Sequence, residues 1–484
     1  MKKLFLFFLS LIILLLLVIS IKTLRFTSKQ LKPVSEKNNY EVDTLAINHL
    51  SSAIRIRNIS YDNDSLIDYY LFDSLYFFLR KTYPLTFNTL SPQIINGHSL
   101  LFHWKSIYNK KKPVILYAHL DVVPAEEEDS SKWQFPPFVG AIDSGFIYGR
   151  GAIDDKGSVI AILESIEELI SKNFKPSRDI YIAFGHDEEV GGEKGAYFIA
   201  DELEKQGVKA EFLLDEGGLV AIDMVPFVKS PVALIFTSEK GYYTLELSVK
   251  SDGGHSSFPP KDPPIEILSK AIHKIHEHPF EKRMTESVND FMDYIGPEMN
   301  LPFKALFANR WLFQPIIFKE YEKISSANAM IRTTAVTTII HGGTKENVLP
   351  SVVKAKINFR LLPGDSSAAI IQKVKDIIGD DRISVSMMDN TEEASPVSSV
   401  NSKSFKLLQN IIGKIFPDAV VAPSLLIAQT DSRHFHKVTE NIYRFLPIRM
   451  DSEILNSIHG TNEKIGINDF MECMAFYKLL IESL

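Results

Sequence analysis

The chain has 484 residues, of which 45% are hydrophobic and 23% charged, with a formal net charge of −7. That length allows two or three domains around a sizeable core, and the acidic balance leaves no electrostatic footprint for nucleic acid. The single cysteine, Cys473, excludes an intrachain disulfide and any cysteine-based zinc cluster.

Lys2 and Lys3 precede an apolar run, Leu4–Ile21, which is followed by Lys22, Arg25 and Lys29. A run of about 18 residues is near the length that spans a bilayer, whereas signal-peptide cores are shorter and end at a small-residue cleavage site. An uncleaved signal anchor over 1–22 is therefore favoured over a cleaved signal, with a polar stalk over 23–40. Positive charge flanks both ends, so the positive-inside rule does not fix the orientation. A short N-terminal anchor suits an extracytoplasmic position for the rest of the chain, secreted if the segment is cleaved.

Val42–Ile56 and Asp64–Thr82 carry apolar residues at helical spacing. Ser99–Trp104 and Pro113–His119 read as strands joined through a basic turn, Lys110–Lys112. The second strand ends in His119-Leu120-Asp121, and residues two apart on a strand share a side. Gly149–Gly157 holds Asp154 and Asp155 among glycines just before a helix at Ser158–Ile170, where N-capping explains Asp155 but not the second acid. Tyr181–Phe184 is a short apolar strand that runs into Asp187-Glu188-Glu189 and Gly191-Gly192. A helix, Gly195–Lys205, leads to a third strand, Ala210–Leu214, ending in Asp215-Glu216-Gly217-Gly218. Adjacent carboxylates repel, and three strands that end in imidazole and carboxylate at the same kind of edge point to a metal centre.

From Ser238 the pattern changes. Tyr242–Val249 alternates as a strand, Gly253-Gly254-His255 makes a turn, and Pro264–His276 is helical. An aromatic- and Met-rich stretch at about 280–322 reads as a helical insertion, expected to pack as the core of this second domain rather than to line an acyl pocket. Ala327–Ile339, Val353–Leu361 and Ile383–Met388 are expected strands, with a helix at Ala368–Ile378. The order β-α-β-β-α-β is that of a ferredoxin-like domain. Helix–strand alternation then resumes, with Thr430–His434 and Ser457–Gly460 as polar loops and a C-terminal helix from Asn468. The expected division is a catalytic domain in two parts, 41–238 and 393–484, interrupted by a lid at 239–392.

The motifs YAHLDVVP, GRGAIDDKG, GHDEEVGG, LDEGG, GGHSS, TDSRH and SIHG, in this order over most of residues 115–465, resemble the M20 family of metallopeptidases, in particular its carboxypeptidase S and N-acyl amino acid hydrolase/synthase branch. The resemblance implies an α/β di-zinc peptidase (phosphorylase/hydrolase-like) catalytic domain with an inserted ferredoxin-like α+β lid/dimerisation domain. It implies two Zn2+ per subunit, with Mn2+ or Co2+ as substitutes. His119, Asp154 and Asp215 would hold one ion; Asp154, Glu189 and His459 the other, with Asp154 bridging. Glu188 would be the general base and Asp121 would orient His119. His255 would donate to the oxyanion, from the partner subunit in dimeric relatives, and Arg433 and Asn347 would recognise the substrate's terminal carboxylate. His186, His434 and His436 match no ligand position.

The residue chemistry is consistent with that set. Imidazole and carboxylate suit borderline metals, and of two adjacent glutamates one on a metal and one free beside the water is the natural split. The expected activity is hydrolysis of the amide bond of small peptides or N-acyl amino acids with a free carboxylate, as a carboxypeptidase or amidohydrolase. The alternatives are a reversible N-acyl amino acid synthase/hydrolase, a dipeptidase, a biosynthetic deacylase and a non-catalytic binding protein on the same fold. The membrane partner is the anchor, no nucleic-acid partner is expected, and a homodimer is open alongside a monomer.

Overall fold

Apolar runs and amphipathic helices assemble, in a computed structural model that describes residues 1–31, 40–108, 111–125, 131–388 and 391–484, into two interleaved units. Residues 32–39 of the expected stalk and Lys110 of the expected basic turn lie outside the described residues. Helix α1 (Lys2–Arg25) is long and apolar enough to cross a membrane and stands free of the protein along most of its length. Helix α2 (Thr44–Ile54) starts at Asp43, whose carboxylate accepts from the amides of Leu45 and Ala46. The expected Asp64–Thr82 helix divides into a 3-10 turn, Asp64–Leu66, and α3 (Tyr69–Thr82), followed by α4 (Pro84–Leu90).

The strands β1 (Gln93–Ile95), β2 (Ser99–Trp104) and β3 (Val114–His119) precede a small hairpin, β4 (Ala141–Asp143) and β5 (Phe146–Tyr148). Then come α5 (Lys156–Ser171), β6 (Ile180–Gly185), α6 (Ala196–Lys205), β7 (Phe212–Asp215), β8 (Leu219–Ala221) and β9 (Val232–Glu239). The lid holds β10 (Gly241–Lys250), β11 (Gly254–His255), α7 (Pro264–Glu277), α8 (Glu286–Ile295), α9 (Leu301–Ala308), α10 (Arg310–Tyr321), α11 (Ser325–Ile331), β12 (Thr334–His341), β13 (Val348–Leu349), β14 (Val352–Leu361), α12 (Ser367–Ile378) and β15 (Ile383–Met387). The chain returns through α13 (Lys403–Ile415), β16 (Val420–Leu426), β17 (Ile442–Arg444), β18 (Arg449–Met450), α14 (Ser452–Ser457), β19 (Lys464–Gly466) and α15 (Ile467–Ser483).

The main sheet has the order β1-β2-β6-β3-β7-β17-β9-β8-β18, with β16 on β9. Its centre, β6-β3-β7-β17, is parallel, so β3, β6 and β7 all end on one edge. Both faces are covered, as a parallel sheet requires. Along β3, Val114, Leu116 and Ala118 face the core formed with α5 and α15, while Ile115 and Tyr117 face α6. The lid sheet is antiparallel with order β12-β14-β10-β15, the ferredoxin-like arrangement, and α7 and α12 cover it.

Two expectations fail here. Residues 325–331 form α11 rather than the start of the expected Ala327–Ile339 strand, which begins only at Thr334. Apart from Phe280, which packs on Phe359 in the lid, the helical insertion does not supply the lid's core. Val288, Met292, Ile295, Phe307 and Ile317 join the catalytic core, and α8 lies against β16.

Candidate active site

Because β3, β6 and β7 end on one edge, the residues that follow them converge. His119, the last residue of β3, is fully buried. Its Nδ1 faces the Asp121 carbonyl at 3.1 Å and the Asp121 carboxylate at 3.3 Å. Its Nε2 meets Asp154 Oδ1 at 2.8 Å. The other oxygen of Asp154 lies 3.0 Å from His459 Nε2, which is also 3.0 Å from Glu189 Oε2. Asp154 is thus shared between two clusters, His119–Asp154–Glu216 and Asp154–Glu189–His459, each compact enough to hold one ion. The donors are imidazole and carboxylate only, the chemistry of a divalent-metal site.

Asp121 does more than face His119. Its two carboxylate oxygens accept from the amides of Glu188 and Glu189, both at 3.2 Å. One buried carboxylate therefore fixes the imidazole and the 3-10 turn Glu188–Val190 together. The Glu189 carboxylate also accepts from the Val123 amide at 3.2 Å. Glu188 is half-buried beside His119, Glu189 and Glu216; desolvation pushes its carboxyl well above the usual range, and the acidic neighbours add to this against the pull of His119. Burial also raises Glu189, with Asp154 adding to it, to about 7. For Asp154, burial acts upward, but the hydrogen bonds from His119 and His459 outweigh it and hold the carboxyl low. Those same two acids, Asp154 and Glu189, raise His459 to about 10.

The expected ligand Asp215 is not in this cluster. Its carboxylate accepts from the amides of Glu216 and Ser432 at 2.9 and 3.0 Å, and the next residue, Glu216, reaches His119 and Asp154. Consecutive side chains at a strand end point to opposite sides, and here Glu216 rather than Asp215 is the one turned toward His119 and Asp154. Glu463 was also missed. Fully buried, it accepts from the amides of Gly151, Ile153 and Asp154 and from Arg150 Nη1, at 2.7–3.2 Å. It lies four residues after His459, so it ties the loops of two ligands together.

His255 and Asn347 come together on the lid. β11 pairs with β13, and the Ser256 amide donates to the Asn347 carbonyl at 3.1 Å. His255 is exposed, with Nδ1 accepting from the Ser257 amide, and among the described residues no hydrogen bond joins either residue to the metal clusters. Arg433 is closer to the centre. It donates through Nη1 to the Thr430 carbonyl at 3.1 Å and through Nη2 to the Gly191 carbonyl at 2.5 Å, and its Nε lies 2.7 Å from Glu392. The remaining histidines have supporting places: His186 Nδ1 meets Ser99 Oγ at 2.6 Å, His434 Nε2 meets the Gly191 carbonyl at 3.1 Å, and His436 is largely buried.

The model of peptidase family M20/M25/M40 matches residues 115–483, the span that holds every residue of both clusters. The chain belongs to that family. A carboxypeptidase S-like protein of Dictyostelium discoideum is 42% identical over 484 residues, covering 98% of this chain and 93% of the relative. An N-fatty-acyl-amino acid synthase/hydrolase of Xenopus tropicalis is 38% identical over 410 residues, 84% of this chain and 79% of the relative. Among solved structures, an M20 family metallo-carboxypeptidase from Sulfolobus solfataricus superposes with a TM-score of 0.67 at 19% identity, covering 91% of this chain and 99% of the other. As an M20 member the chain is a metal-dependent hydrolase, and the catalytic domain with its inserted lid is the M20 fold.

Proposed function

We propose that the chain is a two-zinc amidohydrolase acting on small substrates with a free carboxylate, N-fatty-acyl amino acids first and peptide C-termini second. The observation that carries this reading is Asp154, with one oxygen toward His119 and the other toward His459. His119, Asp154 and Glu216 would hold one ion, and Asp154, Glu189 and His459 the other. The metals, when bound, supply electrophilic activation of water and of the scissile carbonyl. Glu188 takes the proton of the attacking water at its carboxylate and delivers it to the leaving nitrogen. Asp121 holds the His119 ring and the turn that carries Glu188. His255 and Asn347 would reach the substrate from the lid, of the same chain or of a second copy, with His255 donating to the developing oxyanion. Arg433 would recognise the substrate carboxylate, with Glu392 as its partner in the free enzyme. The N-fatty-acyl preference draws support from the 38% identical relative, and the same site run backwards would condense acid and amine.

Helix α1 is read as an uncleaved anchor, with the catalytic domain on the extracytoplasmic side. The test uses the full chain in detergent or vesicles, loaded with zinc, manganese or cobalt. Release of free amino acid is followed from matched N-fatty-acyl amino acids and dipeptides, with and without chelator, and with C-terminally amidated controls. Chelator-sensitive release that requires the free carboxylate is expected. Glu188→Gln should lower kcat by roughly 10²–10⁴ while the metal content stays unchanged. Failure of every substrate under all three metals would favour a binding protein on the same fold.

A further inference from the structure

The last turn of α1 does not hang free. Thr23 is buried, its hydroxyl lies 3.2 Å from Asn309 Nδ2, and that amide also donates to the Ile19 carbonyl at 3.3 Å. The ring of Phe26 rests against Gly296, where any Cβ would fall 2.5 Å from its Cε1. Gln30 then bonds both the amide and the carbonyl of Val421 on β16, each at 2.9 Å, and Gln409 holds the Lys29 carbonyl at 3.0 Å. The segment that leaves α1 is thus sealed onto the insertion and onto the catalytic sheet.

This seal fixes which part of the protein lies where α1 emerges. The bonds of Asn309 to Ile19 and Thr23 set the C-terminal end of α9 and the start of α10 beside the last apolar turns of α1. A groove of 460 Å³ there is lined by Val18, Ile21, Lys22, Arg25, Phe26 and Ala308. At its rim Trp311 is 54% exposed, with the Lys22 ammonium 5.2 Å from its ring centre. The other two tryptophans, Trp104 and Trp133, are 4% and 8% exposed. Tryptophan at the headgroup level beside a lysine that extends to the interface is how chains meet a bilayer surface, and Lys22 and Arg25 add the positive charge that anionic headgroups attract.

We propose that the α9–α10 corner, with Trp311 at its tip, is a bilayer-docking surface: it inserts into the interfacial region next to α1, and the insertion acts as a bracket that holds the catalytic sheet at a fixed attitude to the membrane. The occupant is lipid rather than protein because the corner is continuous with a helix whose own exposed surface, from Leu4 to Leu17, is hydrocarbon. The inference rests on the reading of α1 as a membrane span.

The test reconstitutes the full chain in phosphatidylcholine–phosphatidylserine vesicles made with ordinary lipids or with lipids brominated near the carbonyl end of the acyl chain. Flotation of the protein with the vesicles reports the anchor, and tryptophan emission reports the corner. The expected result is a loss of emission with brominated lipid that Trp311→Phe abolishes, since the two buried tryptophans are out of reach. Flotation without quenching would overturn the docking surface while the anchor stands. Loss of flotation would overturn both. A Trp311 signal that responds to protein concentration instead of bromine would assign the corner to a second copy of the chain and overturn the proposal.

Discussion

Glu463 shows how one buried charge organises a site from outside it. Three backbone amides and Arg150 converge on it, and the loop they fix delivers Asp154. Glu463→Gln keeps the shape but turns one acceptor into a donor, leaving a buried amide and the Arg150 charge poorly paired. We expect a loss of metal affinity of at least tenfold, read by competition with a chelator, together with a lower melting temperature. At the same scale, Glu216→Gln should lower the bound metal per chain, whereas Asp215→Asn should act mainly through stability because its carboxylate caps two amides. Equal metal loss in both would return Asp215 to the ligand set. His436 carries a different signal. Burial, helped by the Arg444 charge, lowers its pKa to about 4. The folded state therefore keeps it neutral while the unfolded chain, titrating near 6.5, takes up a proton. Stability is retained above pH 6.5 and lost as pH falls toward 4. His436→Gln should flatten the slope of stability against pH in that window by about one proton, measured as the difference from the parent chain.

At the scale of elements, the three strands that carry the site were legible because each is a short apolar run closed by polar residues, and such runs have few alternatives. Which side chain at a strand end faces the cleft was not legible: Asp215 and Glu216 are equally acidic, and only the pleat decides between them. Residues 327–331 failed for a related reason, since a short apolar run reads equally well as a buried helix or a strand. The insertion was misassigned because its aromatic and Met content announces burial without naming the partner. The turn after Glu189 shows what glycine was signalling. Gly192 has φ +68°, and a Cβ there would fall 1.9 Å from Asp431 Oδ1. Asp431 is fully buried and hydrogen-bonded to Tyr117, so it has no room to yield. Gly192→Ala should destabilise the chain by more than the ~1 kcal/mol of the backbone strain alone and depress kcat by displacing Glu188 and Glu189, read together by thermal melting and turnover.

For the whole molecule, the sequence separated an anchor, a stalk and a catalytic body, and the contacts of residues 19–30 join the first to the last. Polar residues after an apolar span suggest a tether, but Gln30 uses its amide as a strand would, matching one donor and one acceptor on β16. Phe26, half-buried, packs its ring against Gly296 at the edge of the insertion. Lost methylenes and unpaired amides both cost stability, at roughly 0.5–1.5 kcal/mol for each hydrogen bond. A soluble chain that begins at Leu31 is therefore expected to melt several degrees below one that begins at Thr23, although neither carries the membrane-spanning part of α1. The deficit should be accompanied by faster proteolytic cutting within 296–311, the segment that Phe26 and Thr23 hold. Identical melting temperatures would mean that these contacts add nothing to the folded body, and the bracket between anchor and sheet would then have no energetic basis.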